Sequence, residues 1–252
     1  MSEDEKRAGV EYSTVVTGAA SGIGHAVAVQ LSRRGERVVA VDLNKERLRE
    51  RFGNDPNVVG ISCDLTTQDG FGSLTSAIKA DFAGVKGFVH AAGIDAMAPL
   101  GMIPAEVAQK LFAVHAVFPM QFLGWLGKKA NHAPEASCVL ISSLSAHEGA
   151  KGHVAYAAAK GAVEGFLRPA AAELVAKGIR LNAVVLGVVE TEMSKSWIGK
   201  LSKEQEESLR RDYPLGLGKP EMVADVILFL LSASAGWITG QTIVCDGGHS
   251  VR

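Results

Sequence analysis

Tyr156 and Lys160 stand four residues apart in Ala155-Tyr156-Ala157-Ala158-Ala159-Lys160, and the hydroxyl pair Ser142-Ser143 precedes them, Ser143 by thirteen residues. On a helix, positions i and i+4 lie one above the other, so the Lys160 ammonium group can approach the Tyr156 phenol. A phenol ordinarily has a pKa of about 10, and a fixed cation is one of the few means of bringing it into the range where it exchanges protons near neutrality. The small alanines between the two leave that approach open. An exposed helix can carry the same spacing by chance, and the pair gains meaning from what surrounds it.

The first surrounding element is a glycine turn. Ser13-Thr14-Val15-Val16-Thr17 is a β-rich run, and Gly18-Ala19-Ala20-Ser21-Gly22-Ile23-Gly24 leads from it into an apolar-periodic helix over Ile23 to Arg34. Glycines let backbone approach a ligand closely, and the free N–H groups at a helix start favour a phosphate. Gly18, Ser21, Gly22, Ile23 and Gly24 are therefore candidate contacts for a pyrophosphate.

Arg37 to Asp42 reads as a second buried strand that ends in an acid about eighteen residues past the last loop glycine, where a dinucleotide-binding unit places its ribose ligand. Asp42 can accept hydrogen bonds from both adenosine ribose hydroxyls and would repel a 2′-phosphate. Leu43 follows, where a basic residue could have offset that repulsion. NAD is favoured over NADP, with Arg33 and Arg47 as the cations that could still reach a phosphate. The alternative for Asp42 is to cap the helix Lys45 to Phe52. Val58 to Ser62 is a third strand; Asp64 beyond it, beside Leu65, is placed to meet the adenine amino group or to cap the next helix, Gln68 to Phe82.

Gly87 to Gly93 forms a fourth strand whose small end, Ala91-Ala92-Gly93, leaves room for a cofactor backbone. Pro104 opens a long helix to about Ala130 that contains His115 and Pro119. Proline has no N–H, which frees the carbonyl four residues back, that of His115. Ser137 to Ile141 is a fifth strand that delivers Ser142 and Ser143, and His153 to Lys177 is the helix of Tyr156 and Lys160. A sixth strand over Arg180 to Val185, a polar excursion, an apolar helix Glu221 to Leu231 and a last strand Thr242 to Cys245 complete the chain. Strands alternating with helices predict an α/β fold, a Rossmann-type doubly wound parallel sheet of about seven strands with helices on both faces. Its ligand crevice lies at the C-terminal strand ends, where these motifs fall.

Of the 252 residues 47% are hydrophobic and the formal net charge is -1, enough apolar content for one sizeable core and no basic field for nucleic acid or an anionic membrane. We expect a tail over 1–12 and one dinucleotide-binding and catalytic domain over 13–252. Cys63, Cys138 and Cys245 are isolated and odd in number, which favours reduced thiols and a reducing compartment. The first residues are charged, without the apolar run of a signal peptide, and no stretch reaches the ~18 apolar residues of a span. The expected location is cytoplasmic. The histidines show no metal-ligand spacing.

Together the motifs resemble those of the short-chain dehydrogenase/reductase family from about Ser13 to Gly248: Thr17-Gly18-x-x-x-Gly22-x-Gly24, Ala91-Ala92-Gly93, Ser143, Tyr156-x-x-x-Lys160, and Thr239-Gly240-Gln241 before Asp246-Gly247-Gly248, in the family's order. The resemblance implies that Tyr156 exchanges a proton with a carbonyl or alcohol oxygen, that Ser143 holds that oxygen, and that Lys160 depresses the Tyr156 pKa and binds the nicotinamide ribose. Hydride then passes between nicotinamide and substrate carbon without a metal. It further implies cofactor contacts at Gly187, Val189 and Thr191, a substrate lid over about 187–212 carrying Met193, Trp197 and Ile198, and a homotetramer or homodimer. The small residues Gly161, Ala162 and Gly165 and the apolar helix Val223 to Leu231 suit close packing between copies.

The chain also departs from the family pattern. His90 stands where asparagine is usual, His115 aligns with the asparagine that completes the family's tetrad, and Leu186-Gly187 replaces a common Pro-Gly. That asparagine acts largely through its main-chain carbonyl, so a His115 carbonyl freed by Pro119 would preserve a proton relay. Asp95, His147, Glu148 and His153 are expected to flank the pocket entrance and to suit a polar or hydroxylated substrate. The leading expectation is an NAD(H)-dependent oxidoreductase interconverting a secondary alcohol and a ketone. An NADPH-dependent 3-oxoacyl reductase and a cofactor-binding regulator with little activity are the alternatives.

Overall fold

In a computed structural model, which describes residues 11–251, seven parallel strands form one sheet in the order β3-β2-β1-β4-β5-β6-β7. The strands are β1 (Ser13–Thr17), β2 (Val38–Asp42), β3 (Val58–Ser62), β4 (Val85–His90), β5 (His132–Ser143), β6 (Ile179–Leu186) and β7 (Thr242–Cys245). The helices between them are α1 (Gly22–Arg33), α2 (Lys45–Phe52), α3 (Gln68–Asp81), α4 (Ala105–Phe112), α5 (Phe118–Leu126), α6 (Val154–Val175), α7 (Glu192–Ile198), α8 (Lys203–Arg211) and α9 (Pro220–Leu231). The expected tail lies outside the described residues over 1–10.

β1 is buried at every position and β2 at all but its last, as central parallel strands covered on both faces require. One apolar layer joins Phe88, Leu140 and Leu181 of the sheet to Phe118, Phe122 and Leu167 of the helices. The opposite layer packs Val16, Val39's neighbour Ala40 and Val184 against Leu31 of α1 and Ile227 and Leu228 of α9. The strand order reverses between β1 and β4, so their C-terminal ends diverge and leave the crevice that a doubly wound sheet offers a ligand.

Two differences from the sequence expectation bear on the site. β4 begins at Val85 and ends at His90, which leaves Ala91-Ala92-Gly93 beyond the ladder and in the crevice. The single helix expected from Pro104 to about Ala130 is divided: α4 gives way to a π turn over Ala113–Val117, and α5 ends at Leu126. Pro119 supplies the physical reason, because without an N–H it cannot close the α-helical bond onto His115. The ladder lengthens its step, and the Phe118 N–H donates to the carbonyl of Ala113, five residues back. In α6, by contrast, the helix runs on through Pro169 to Val175.

Cys63 and Cys138 are buried and Cys245 is partly so, all three as free thiols. Burial pushes the Cys63 thiol up to about 11 and Cys138 higher still, so neither is poised to react. Among the described residues no helix is long and apolar enough to cross a membrane.

Candidate active site

The cavity at the strand ends, of about 630 Å³, is lined at one end by Gly18, Ser21, Gly22, Ile23, Asp42, Leu43, Asp64 and Leu65. Ala91, Ala92, Gly93, His115, Ser143, Tyr156, Lys160, Gly187, Val189 and Thr191 continue its wall. Gly24 is the exception among the sequence-predicted residues. It faces the loop's own backbone, and a Cβ there would sit 2.3 Å from the Gly18 carbonyl oxygen. Gly24 therefore shapes the turn and does not line the cavity. Gly18 has φ +68°, and a Cβ on it would lie 2.8 Å from the Ala92 backbone, so only glycine permits the narrow cradle between β1 and β4.

The ends of β1 and β4 are tied by side chains. The Ala92 N–H donates to Thr17 Oγ1 at 3.1 Å, Thr17 donates to His90 Nδ1 at 2.9 Å, and His90 Nε2 donates to the Val114 carbonyl at 2.9 Å. A carbonyl only accepts, which places the His90 proton on Nε2. His90 thus couples the cofactor strands to the π turn, a role its position in the sequence did not reveal. Burial, then the nearby Lys160 charge, brings its pKa down to about 3, so it is neutral.

At the other end, the Asp42 carboxylate accepts from the N–H groups of Ala20 at 3.1 Å and Asn44 at 3.0 Å. Asp42 does not cap α2: Asn44 does, accepting from the Arg47 N–H at 2.9 Å. Asp64 likewise leaves capping of α3 to Thr67. Its carboxylate accepts from the Thr66 hydroxyl at 2.6 Å and N–H at 2.8 Å, bonds that hold its pKa below the ordinary carboxylate value.

Ser142 and Ser143 part company at the end of β5. The Ser142 hydroxyl donates to Glu164 Oε1 at 2.5 Å, whereas the Ser143 hydroxyl donates to Ser145 Oγ at 3.2 Å and is near enough to Tyr156 to favour its phenolate. Lys160, buried in α6, donates from Nζ to the Ile141 carbonyl at 2.8 Å and lies 5.7 Å from the centre of the Tyr156 ring. Electrostatics here run against the sequence expectation that Lys160 depresses the phenol. Burial, then the negative charge of Asp95, pushes Tyr156 up to about 12, against the opposing pull of Ser143. Burial also brings the Lys160 amine down to about 7, although Asp95 favours its charge, so the cation meant to act on Tyr156 is itself half-titrated near neutrality.

The His115 ring stands edge-on to Tyr156, with centroids 5.5 Å apart and planes at 87°. Its Nε2 donates to the Ile94 carbonyl at 2.8 Å, and its buried Nδ1 has no protein partner. Burial, then Lys160, lowers its pKa to about 2, which keeps the ring neutral.

Asp95, Glu148 and His153 line the cavity as expected. His147 does not: it is drawn off to Glu164, 3.0 Å away. Lys110, Tyr213 and His249 join the wall without having been foreseen. Tyr213 accepts from the Val188 N–H at 3.0 Å and stacks on His249, whose Nε2 lies 2.8 Å from Glu148. The only local signal for His249 was its place directly after Asp246-Gly247-Gly248. The excursion after β6 opens with Thr191 capping α7 reciprocally with Ser194 and carries Met193 and Trp197 into the wall.

Comparison with known proteins places this geometry. A family profile described as "Enoyl-(Acyl carrier protein) reductase" matches residues 18–250. The chain is 31% identical to D-threitol dehydrogenase of Mycolicibacterium smegmatis, over 94% of this chain and 92% of that protein. It is 34% identical to a 3-oxoacyl-[acyl-carrier-protein] reductase of Thermotoga maritima, over 93% and 96%. Among solved structures, 4-hydroxyisoleucine dehydrogenase complexed with NADH superposes with a TM-score of 0.88 at 25% identity, covering 96% of this chain and 100% of that one. With its seven-stranded parallel sheet and with Ser143, Tyr156 and Lys160 gathered at one cavity, the chain belongs to the short-chain dehydrogenase/reductase family, whose members are NAD(P)-dependent oxidoreductases acting on alcohols and ketones.

Proposed function

We propose that this protein is an NAD(H)-dependent oxidoreductase that interconverts a secondary alcohol and a ketone. The observation that carries the reading is one cavity with Asp42 at one end and Ser143, Tyr156 and Lys160 at the other. The residues fit a dinucleotide, since a Cβ on Gly18 would fill the cradle between β1 and β4. The glycine loop would hold the pyrophosphate, Asp42 the adenosine ribose, Asp64 the adenine and Lys160 the second ribose. When bound, the cofactor supplies the carbon that gives or takes hydride.

Tyr156 exchanges the proton of the substrate oxygen, and Ser143 holds that oxygen by a hydrogen bond. Buried in the protein alone, the phenol is too weak an acid for neutral pH, so the working value depends on positive charge brought close to it. Lys160 supplies part of that charge and passes protons outward. The Pro119 break in the helix, which the π turn expresses, supports an exit along the His115 carbonyl.

The substrate end supports a neutral hydroxylated molecule. Asp95 and Glu148 present carboxylates there, and an anion would meet repulsion. Likeness to a 3-oxoacyl-[acyl-carrier-protein] reductase favours a second reading, NADPH-dependent reduction of a 3-oxoacyl group. Asp42 argues against it, because its charge opposes a 2′-phosphate. A cytoplasmic location is our further reading, supported by the three free thiols. We also read the protein as a homotetramer or homodimer, with a small-molecule partner and neither nucleic acid nor membrane. Exposed Met222, Phe229 and Trp237 support association, and sedimentation analysis tests it, a monomer counting against it.

Titration with NADH and NADPH, followed by nicotinamide fluorescence, tests the cofactor assignment. Tighter NADH is expected, and equal or tighter NADPH overturns it.

A further inference from the structure

Arg47 and Glu192 form an ion pair although 145 residues separate them. Arg47 lies in the first turn of α2, just past Asp42 and the capping Asn44. Glu192 is the first residue of α7 and lines the cavity. The residue before it, Thr191, sits against the glycine loop on the opposite side, its Cγ2 3.2 Å from where a Cβ on Gly22 would lie. The start of α7 therefore crosses from the loop to α2, over the end of the cavity that holds Asp42. Charges on both sides support the bridge: Asp42 and Glu50 attract Arg47, while Arg51 and Lys195 attract Glu192.

We propose that the Arg47–Glu192 pair is a strap over the adenosine end of the cavity that opens to pass the dinucleotide, slows its release, and withholds Arg47 from a 2′-phosphate. This inference rests on the dinucleotide reading of the cavity and adds a determinant of cofactor choice separate from Asp42. Of the cations in this region, Arg47 is the one in the turn just past Asp42, and Glu192 occupies it. A 2′-phosphate must therefore compete with Glu192 as well as overcome the Asp42 charge. The pair is partly exposed, so its effect is modest and screened by salt.

The test is NADH release from the whole protein, measured by stopped-flow nicotinamide fluorescence in wild type, Glu192→Gln and Arg47→Gln at low and high NaCl. Glutamine keeps the size of Glu192 and removes its charge. Release from both variants is expected to be about threefold faster than from wild type at low salt, and added NaCl is expected to close most of that difference. Glu192→Gln alone is expected to gain NADPH affinity relative to NADH, since it frees the Arg47 cation; Arg47→Gln gains none. Release rates equal to wild type at low salt overturn the strap, as does an unchanged NADPH-to-NADH ratio in Glu192→Gln. Wild-type protein that binds neither dinucleotide overturns the cofactor reading itself, a result distinct from either of these.

Discussion

The Lys160 Nζ lies 5.7 Å from the centre of the Tyr156 ring while its hydrogen bond goes to the Ile141 carbonyl at 2.8 Å. The amine is close enough to act on the phenol, yet Lys160 is buried, Tyr156 is half-buried, and each is shifted toward its neutral form. Stability and chemistry are consequently set against one another at this pair.

Lys160→Met is expected to stabilise the fold at pH 7 and to remove most activity. The folded value of about 7 lies below the ordinary 10.5, so between those values the unfolded chain binds the extra proton and stability rises with pH. Below pH 7 the cost of burying the charge is full and constant. Removing it is worth on the order of 2 kcal/mol after the lost Ile141 bond is counted, and the gain shrinks toward pH 10.5. Thermal melts at several pH values check this; a lower midpoint for the variant at pH 7 contradicts it.

His90 and His115 predict acid sensitivity. Their folded values of about 3 and about 2 lie below the ordinary 6.5, so the stability they permit is whole above pH 6.5 and declines as pH falls toward the folded values. The loss is about 1.4 kcal/mol per pH unit for each histidine. A His90→Asn, His115→Asn double variant should unfold at lower pH than wild type, as followed by circular dichroism. An unchanged acid midpoint would show that other groups govern acid unfolding.

Asp42→Asn removes the charge at the ribose while keeping the side chain's size. NADH affinity is expected to fall by about tenfold, since hydrogen bonds to a charged group are the stronger ones, and NADPH affinity to rise. Fluorescence titration decides; an unaltered ratio of the two affinities would take the selectivity away from Asp42.

Pro119→Ala restores an N–H that can close the helix onto the His115 carbonyl. If protons leave Lys160 along that carbonyl, the solvent isotope effect on turnover and the pH–rate profile both change. If neither moves, the relay runs elsewhere.

Much of this site was legible because its signals are local. The glycine turn, the acid ending β2 and the four-residue step from Tyr156 to Lys160 each follow from a period or a spacing, and alternation of strands with helices was enough for the doubly wound sheet. Long-range bonds were not legible. Nothing near His90 in sequence announces that it will join Thr17 to the Val114 carbonyl, nor does α2 announce that Arg47 will meet Glu192. The Tyr156 shift is not legible for a related reason: spacing reports the nearness of Lys160, whereas burial, the leading cause of the upward shift, depends on the whole packed site. The missing Pro119 N–H is legible in the sequence, but the π turn that accommodates it and divides the helix is a response of the surrounding backbone.

The most direct measurement is absorbance of reduced nicotinamide when wild type and Tyr156→Phe are given NAD with a panel of secondary alcohols, and NADH with the matching ketones. Wild type is expected to turn over at least one pair, and Tyr156→Phe to lose about 100-fold or more of that activity with NADH affinity retained. NADH binding without turnover of any alcohol or ketone, or a Tyr156→Phe variant as active as wild type, would contradict it.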